Sequence, residues 1–214
     1  MRLMSFGTML ILGFHALLRP GELCQLRRKH FTLPNQWLHA GVQRIVVTLE
    51  NPKNSSTMGC RQVAVVDNVV VIRWLTWILQ GLPGEALVFT GGTSAFARRF
   101  RSMLSGLGLA HLPLTPGSLR AGGATALFVS GVEIYKIRIL GRWRAIATLD
   151  RYLQEATAVQ LLADLTEEQS RRVAGLLRAG RVLRSPPPRP WWCLGSRSSQ
   201  LRGLVRWHGK LPPS

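Results

Sequence analysis

Gly122 and Gly123 stand side by side in a run that otherwise reads as helix. Each glycine costs a helix interior about 1 kcal/mol relative to alanine. A helix that keeps two together must be approached closely, by another helix or by a nucleic-acid backbone. The run follows the turn residues Thr115, Pro116 and Gly117 and starts at Ser118. Leu119, Ala126, Leu127 and Val129 fall on roughly one face. Gly131 is placed to close this helix with a left-handed cap. A second helical run spans Glu133 to Leu140 and stops at Gly141. Arg142, Trp143, a short third helix and Tyr152 complete the stretch.

The polar residues of this stretch suggest chemistry. Arg120 lies in the first turn of the first helix, at the positive end of its dipole. Trp143 follows a helix stop, and Tyr152 comes nine residues later. A guanidinium can fork two phosphate oxygens, an indole N–H donates one bond, and a phenol can act as nucleophile. The same residues also suit a packed helical trio with a surface arginine, a core tryptophan and a half-buried tyrosine. Spacing alone leaves both readings open.

A second motif lies upstream, in Leu18-Arg19-Pro20-Gly21-Glu22-Leu23. Proline is tolerated in a helix's first turn, so a helix beginning at Pro20 or Gly21 is expected just after Arg19. Arg19 and Glu22 could be an ordinary surface pair. The apolar run Met1 to Leu18 is broken by His15 and ends among Arg19, Glu22 and Arg27, with no small-residue cleavage site. It reads as a buried helix of the domain, and no stretch of the chain is a membrane-spanning candidate.

Between the motifs the pattern changes. Arg44 to Leu49 and Arg61 to Val66 are β-branched strands joined by the turn-rich Asn51 to Ser56, which carries Lys53. Val69 to Leu79 is helical, with Trp74 and Trp77 read as core. Leu87 to Phe89 reads as a third strand. Ser94 to Leu104 reads as a helix capped by Thr93 or Ser94, and it presents Arg98, Arg99 and Arg101. Thr166 to Gln169 is a capping-box pattern opening a C-terminal helix.

The stretch from Leu114 to Tyr152 resembles the C-terminal half of the tyrosine recombinase (phage integrase) catalytic domain. That family reads His-x-x-Arg, a helix, a Gly-His or Gly-Trp element, and a tyrosine nine residues on. Arg120 matches the second family arginine, Gly141-Arg142-Trp143 the His/Trp element, and Tyr152 the nucleophile. Arg19 matches the first family arginine, with Glu22 as its structural partner. One position departs: the family histidine is Gly117 here, and Ser118 does not restore an imidazole. The phrases SLRAGGAT and GRW resemble eukaryotic, transposon-borne members.

The resemblance covers about residues 5 to 165. It implies an α+β, mainly helical, tyrosine-recombinase-like catalytic core with a small antiparallel sheet. The expected organisation is a catalytic domain at 1–165, a C-terminal helix at 166–184, and a disordered basic tail at 185–214 rich in Pro, Ser, Arg and Trp. The family's separate DNA-clamping domain has no counterpart here, so the chain reads as an isolated catalytic domain, a fragment or a relic of a mobile element.

The implied activity is DNA recombination or integration by strand cleavage and rejoining through a 3′-phosphotyrosine. Tyr152 is then the nucleophile, Arg19 and Arg120 the phosphate clamp, Lys53 the acid for the leaving 5′ oxygen, and Trp143 a hydrogen-bond donor. Arg98, Arg99, Arg101 and Arg142 are expected on the DNA backbone. No metal and no small-molecule cofactor is implied. The expected partner is double-stranded DNA; a homo-oligomer on it is one option, and the sequence itself gives no oligomeric state.

Bulk composition agrees in kind. The 214 residues carry a formal net charge of +18, which calls for an anionic polymer partner. Cys24, Cys60 and Cys193 form no CxxC pair, which fits a reduced intracellular compartment, the nucleus for a member of this kind. Two other readings stay open. One is a catalytically weakened DNA-binding remnant of a mobile-element recombinase; the other is a basic protein that binds RNA non-specifically.

Overall fold

The computed structural model describes residues 2–34, 43–50, 62–153 and 155–182. The architecture is α+β and mainly helical, with one three-stranded antiparallel sheet. Helix α1 (Arg2–His15) buries Phe6, Met9 and Leu12 along one stripe. Its C-terminal end leads into Leu17, whose φ of +51° lies in the left-handed region. Helix α2 (Pro20–Gln25) then starts with proline in its first turn.

A short 3₁₀ turn, Arg28–His30, feeds strand β1 (Phe31–Thr32). Strands β2 (Ile45–Leu49) and β3 (Gln62–Val66) complete the sheet in the order β1-β2-β3. Ile45 pairs with Val66 and Leu49 with Gln62. The period-two alternation turns Ile45, Val47 and Leu49 inward with Ala64 and Val66. The expected hairpin pairing is therefore present; its tip, with Lys53, lies outside the described residues.

Helix α3 (Val69–Leu79) is capped by Asn68, whose side chain accepts from the Val70 and Val71 amides at 3.0 and 3.2 Å. Trp77 is buried; Trp74 is half-buried and donates its indole N–H to Thr8 Oγ1 at 3.1 Å. Helix α4 (Gly92–Gly106) buries Phe96, Phe100 and Leu104, spaced one turn apart. Among the described residues, the elements after α4 are all helices: α5 (Ser118–Val129), α6 (Ile134–Leu140), α7 (Ile146–Asp150), α8 (Glu155–Ala163) and α9 (Glu167–Val182). Thr166 and Gln169 form the expected capping box, each side chain bonding the other's amide. The segment 185–214 lies outside the described residues. Among the described residues no helix is long and apolar enough to cross a membrane.

Two local expectations are corrected. Leu87 to Phe89 is not a sheet strand: Leu87 makes an isolated bridge to Arg27, and the Val88 amide donates to Leu26 O at 2.9 Å. The third strand is Phe31–Thr32, paired with Val47 and Val46. Helix α4 starts two residues early and has no hydroxyl cap. Gly91 and Gly92, at φ +121° and +67°, reverse the chain before Thr93 is reached.

The packing accounts for the paired glycines. A Cβ on Gly123 would lie 2.1 Å from the backbone oxygen of Phe14 and 2.7 Å from Leu17 Cδ2. The close partner is thus helix α1, not a nucleic-acid backbone. Gly122 has ordinary room, with the Phe14 ring at 3.5 Å. From the other side, a Cβ on Gly13 would meet Leu119 at 2.9 Å.

Two core clusters result. The larger joins α1, α2, the sheet, α3 and α4. The smaller joins Leu17, Ala124, Ile137, Trp143 and Leu149, with Tyr152 packed against it. The α1–α5 contact links them, and the candidate site lies at that link.

Candidate active site

The site is built around one carboxylate and one carbonyl. Glu22, on α2, reaches back to the start of its own helix. Its Oε2 accepts from the Arg19 backbone N–H at 2.8 Å, and its Oε1 accepts from Arg19 Nη1 at 2.9 Å. The same Oε2 accepts from Arg142 Nη2 at 3.0 Å and lies 4.0 Å from Arg120 Nη1. The sequence pairing of Arg19 with Glu22 is thus met, but Glu22 serves three arginines.

The carbonyl belongs to Leu17. It accepts from Arg120 Nη1 at 2.9 Å and from Arg142 Nη2 at 3.3 Å. The left-handed backbone at Leu17 turns this oxygen toward them, while the Leu17 side chain is buried in the smaller core cluster. Arg120 Nη2 also donates a short hydrogen bond to Gly141 O. Arg142 is the second non-glycine residue with positive φ, at +58°. That turn sends its guanidinium inward, where Nη1 also approaches Leu140 O at 3.4 Å.

Trp143 forms the floor. It is 4% exposed, and the Arg120 guanidinium carbon sits 4.4 Å from its ring centroid, a cation–π stack. Gly141 makes room for it, because a Cβ there would lie 1.6 Å from the indole ring. Tyr152 follows the end of α7, half-buried, with its ring 5.2 Å from that of Trp143 and tilted by 57°. Arg120 lies 6.0 Å from the Tyr152 ring centroid. Thr125 Oγ1, on α5, donates to the Tyr152 backbone oxygen at 3.2 Å.

The electrostatics follow from burial. Arg120 and Arg142 are 2% and 8% exposed. Burial, then the nearby cations Arg19 and Arg142, pulls Arg120 down to about 10, against Glu22 and Tyr152, which favour its charge. Burial likewise lowers Arg142, with Glu22 opposing. Three guanidinium groups face one carboxylate, so the cluster has excess positive charge. The Nε atoms of Arg120 and Arg142 are buried and have no hydrogen-bond partner. Such an enclosure favours an added anion. Among the described residues no group of three or more His, Cys, Asp or Glu side chains could hold a metal ion.

The structure therefore brings together Arg19, Arg120, Trp143 and Tyr152. Arg142 joins this buried cluster and stands apart from the arginines of α4. Arg98 and Arg101 are exposed on α4, and half-buried Arg99 lies over the Phe89 ring at 5.2 Å. Lys53 lies outside the described residues. Gly117 precedes α5 with ordinary helical torsions, φ −65° and ψ −29°, and a Cβ there would meet only Thr115 Oγ1 at 3.4 Å. No backbone demand keeps this position glycine. Sequence reasoning missed the Leu17 carbonyl, which carries no motif, and Thr125, which closes the phrase SLRAGGAT but received no role there.

No protein-family model matches this sequence, and no curated protein matches it. Solved structures do. The crystal structure of XerA recombinase aligns with a TM-score of 0.53 and 16% identity, over 82% of this chain and 57% of that one. The Tn1549 transposon integrase in complex with a circular intermediate DNA aligns at 0.52 and 16% identity, over 80% of this chain and 57% of that one. The same integrase in complex with transposon right end DNA aligns at 0.52 and 14% identity, over 81% and 59%. This chain thus spans less than two thirds of each. At these identities the likeness is one of fold: the chain has the fold of these recombinase and integrase structures.

Proposed function

We propose that this chain is a tyrosine recombinase catalytic domain that cuts and rejoins DNA through Tyr152. The observation that carries the reading is the cluster itself. Three arginines, one carboxylate and a tyrosine are gathered at the link between the two cores, with excess positive charge beside the phenol.

In the reaction, the Tyr152 oxygen attacks a backbone phosphorus and the bond to the 5′ oxygen breaks. The phenolic proton leaves to solvent, and the 5′ oxygen takes a proton, from Lys53 by the resemblance. Arg19 and Arg120 balance charge gathering on the non-bridging oxygens. Trp143 carries Arg120 on its face and keeps the phenol beside it. The phosphotyrosine retains the bond energy, so rejoining by the 5′ hydroxyl needs no nucleotide. Arg98 and Arg101 are exposed on α4, where cations suit phosphate contacts that position the duplex. The partner is double-stranded DNA, and the compartment is the nucleus, as for a transposon-borne member.

A nicked duplex that traps the covalent adduct tests the reading. A slow-migrating band on a denaturing gel supports it; its absence at saturating DNA rejects it. The second reading is a DNA-binding remnant with weakened chemistry. Gly117 favours it, because the position that carries an imidazole in relatives has no side chain here. Tight binding to duplex DNA without an adduct is its signature.

A further inference from the structure

We propose that Arg142 is a third guanidinium of the phosphate site rather than a contact to the outside of the duplex. The inference rests on the strand-cleaving reading above and adds a residue to its machinery. Arg142 is inserted between Gly141, whose missing side chain admits the indole, and Trp143 itself. Its left-handed backbone, at φ +58°, is a conformation that L side chains rarely adopt. Strain of this kind persists where surrounding contacts hold it. Here they do: Nη2 reaches both the Leu17 carbonyl and Glu22.

The partners are shared ones. Leu17 O and Glu22 Oε2 also lie 2.9 and 4.0 Å from Arg120 Nη1. Arg142 and Arg120 are thus neighbours by common ligands, behind the more exposed Arg19. A single glutamate cannot neutralise three buried or half-buried guanidiniums. Burial lowers the affinity of both inner arginines for their protons. Each also keeps one buried N–H, at Nε, without an acceptor. Leaving buried donors unpaired is costly unless something completes them. A tetrahedral oxyanion supplies both the charge and the acceptors that the cluster lacks. Among the described residues Arg138 also has a buried, unpartnered Nε, and it differs: it lies against Tyr135 and bonds Arg144 O, outside the Glu22 cluster.

The test uses the full 214-residue chain, with tungstate as the oxyanion probe and a nicked duplex as the adduct trap. Arg142→Gln should slow adduct formation on saturating duplex by about 10²–10³-fold, with duplex Kd unchanged. Its tungstate affinity should fall at least about tenfold. Arg142→Lys, which keeps the charge, should lie between parent and Gln variant in both readouts. A merely structural role would make both variants fail alike, with duplex affinity falling as Tm falls. Parent-like adduct formation by Arg142→Gln, or a loss confined to duplex affinity, overturns the proposal. If Arg142→Gln does not fold, Arg142→Lys decides: partial tungstate binding supports the charge role, and complete loss in a folded protein overturns it. A parent chain that forms no adduct yet binds tungstate through Arg142 refutes strand cleavage and leaves this assignment standing.

Discussion

Arg120 donates to the carbonyl of Leu17 at 2.9 Å, joining residues 103 positions apart in sequence. The bond ties the helix carrying the second arginine to the turn that precedes the first. Arg19 is two residues beyond that carbonyl, so the same turn sets both guanidiniums. The site's geometry is therefore a property of the α1–α5 contact as much as of its polar residues.

Tyr152→Phe should abolish the covalent adduct and leave duplex affinity within about twofold, since only the phenolic oxygen is lost. The half-buried ring stays packed on Trp143. A denaturing gel on the nicked substrate reads the outcome. An adduct persisting in the variant assigns the nucleophile elsewhere.

The arginines should divide by role. Arg19→Ala and Arg120→Ala should each cost about 3–4 kcal/mol in cleavage rate, as loss of a preorganised oxyanion donor does. Arg98→Ala should weaken binding and lower the salt slope by about 1. Rates on saturated DNA, set beside binding isotherms across a salt series, separate the two. A greater cleavage loss for Arg98→Ala than for Arg120→Ala would reverse the assignment.

Arg120→Lys should add a pH dependence of its own to that of the parent. Burial and two neighbouring cations pull the native arginine to about 10, which keeps it charged at neutral pH. A lysine begins near 10.4 in water, and the same surroundings lower it further. A depressed cation is charged below its folded pKa and loses its charge as pH rises through it. Cleavage by the Lys variant should thus fall with rising pH relative to the parent. A flat ratio between pH 6 and 9 would show that position 120 titrates outside that window.

Adjacent glycines should respond oppositely to alanine. Gly122→Ala has room and should stabilise by up to about 1 kcal/mol through helix propensity. Gly123→Ala places a methyl 2.1 Å from the Phe14 carbonyl and should destabilise by 3 kcal/mol or more, roughly the upper range of overpacking. Thermal melts measure both. Equal effects would mean that α1 does not pack on this face.

Gly117→His should speed cleavage at pH 7. General acid–base help is typically worth about 10²–10⁴-fold. Without an imidazole the phenolic proton leaves to hydroxide, so the parent rate should climb with pH and the variant should flatten that climb. The torsions at Gly117 suit any L residue, and a Cβ there meets Thr115 Oγ1 at 3.4 Å, an ordinary contact. A folded variant no faster than the parent would favour the DNA-binding remnant.

Much of this was legible in advance because it is local. The helix after Ser118, its closure at Gly131 and the capping box at Thr166 all follow short-range rules. The rings of Trp143 and Tyr152, nine residues apart, lie 5.2 Å apart, a contact that the spacing alone did not specify. What escaped was set by tertiary contact. Leu17 and Arg142 adopt positive φ without being glycine, and no local signal marks that choice. Strand β1 is two residues long and exists only because Phe31 and Thr32 find β2. Arg142 is expected with the α4 arginines on the DNA backbone; its inward turn depends on a glutamate far upstream.

The absent side chain of Gly123 has a pharmacological corollary. The Phe14 backbone occupies its place, and the Leu17 carbonyl hangs from the same docked helix. An agent that levered α1 away from α5 would pull that carbonyl off Arg120 and part it from Arg19. It would silence the site allosterically, without competing for DNA and without touching Tyr152.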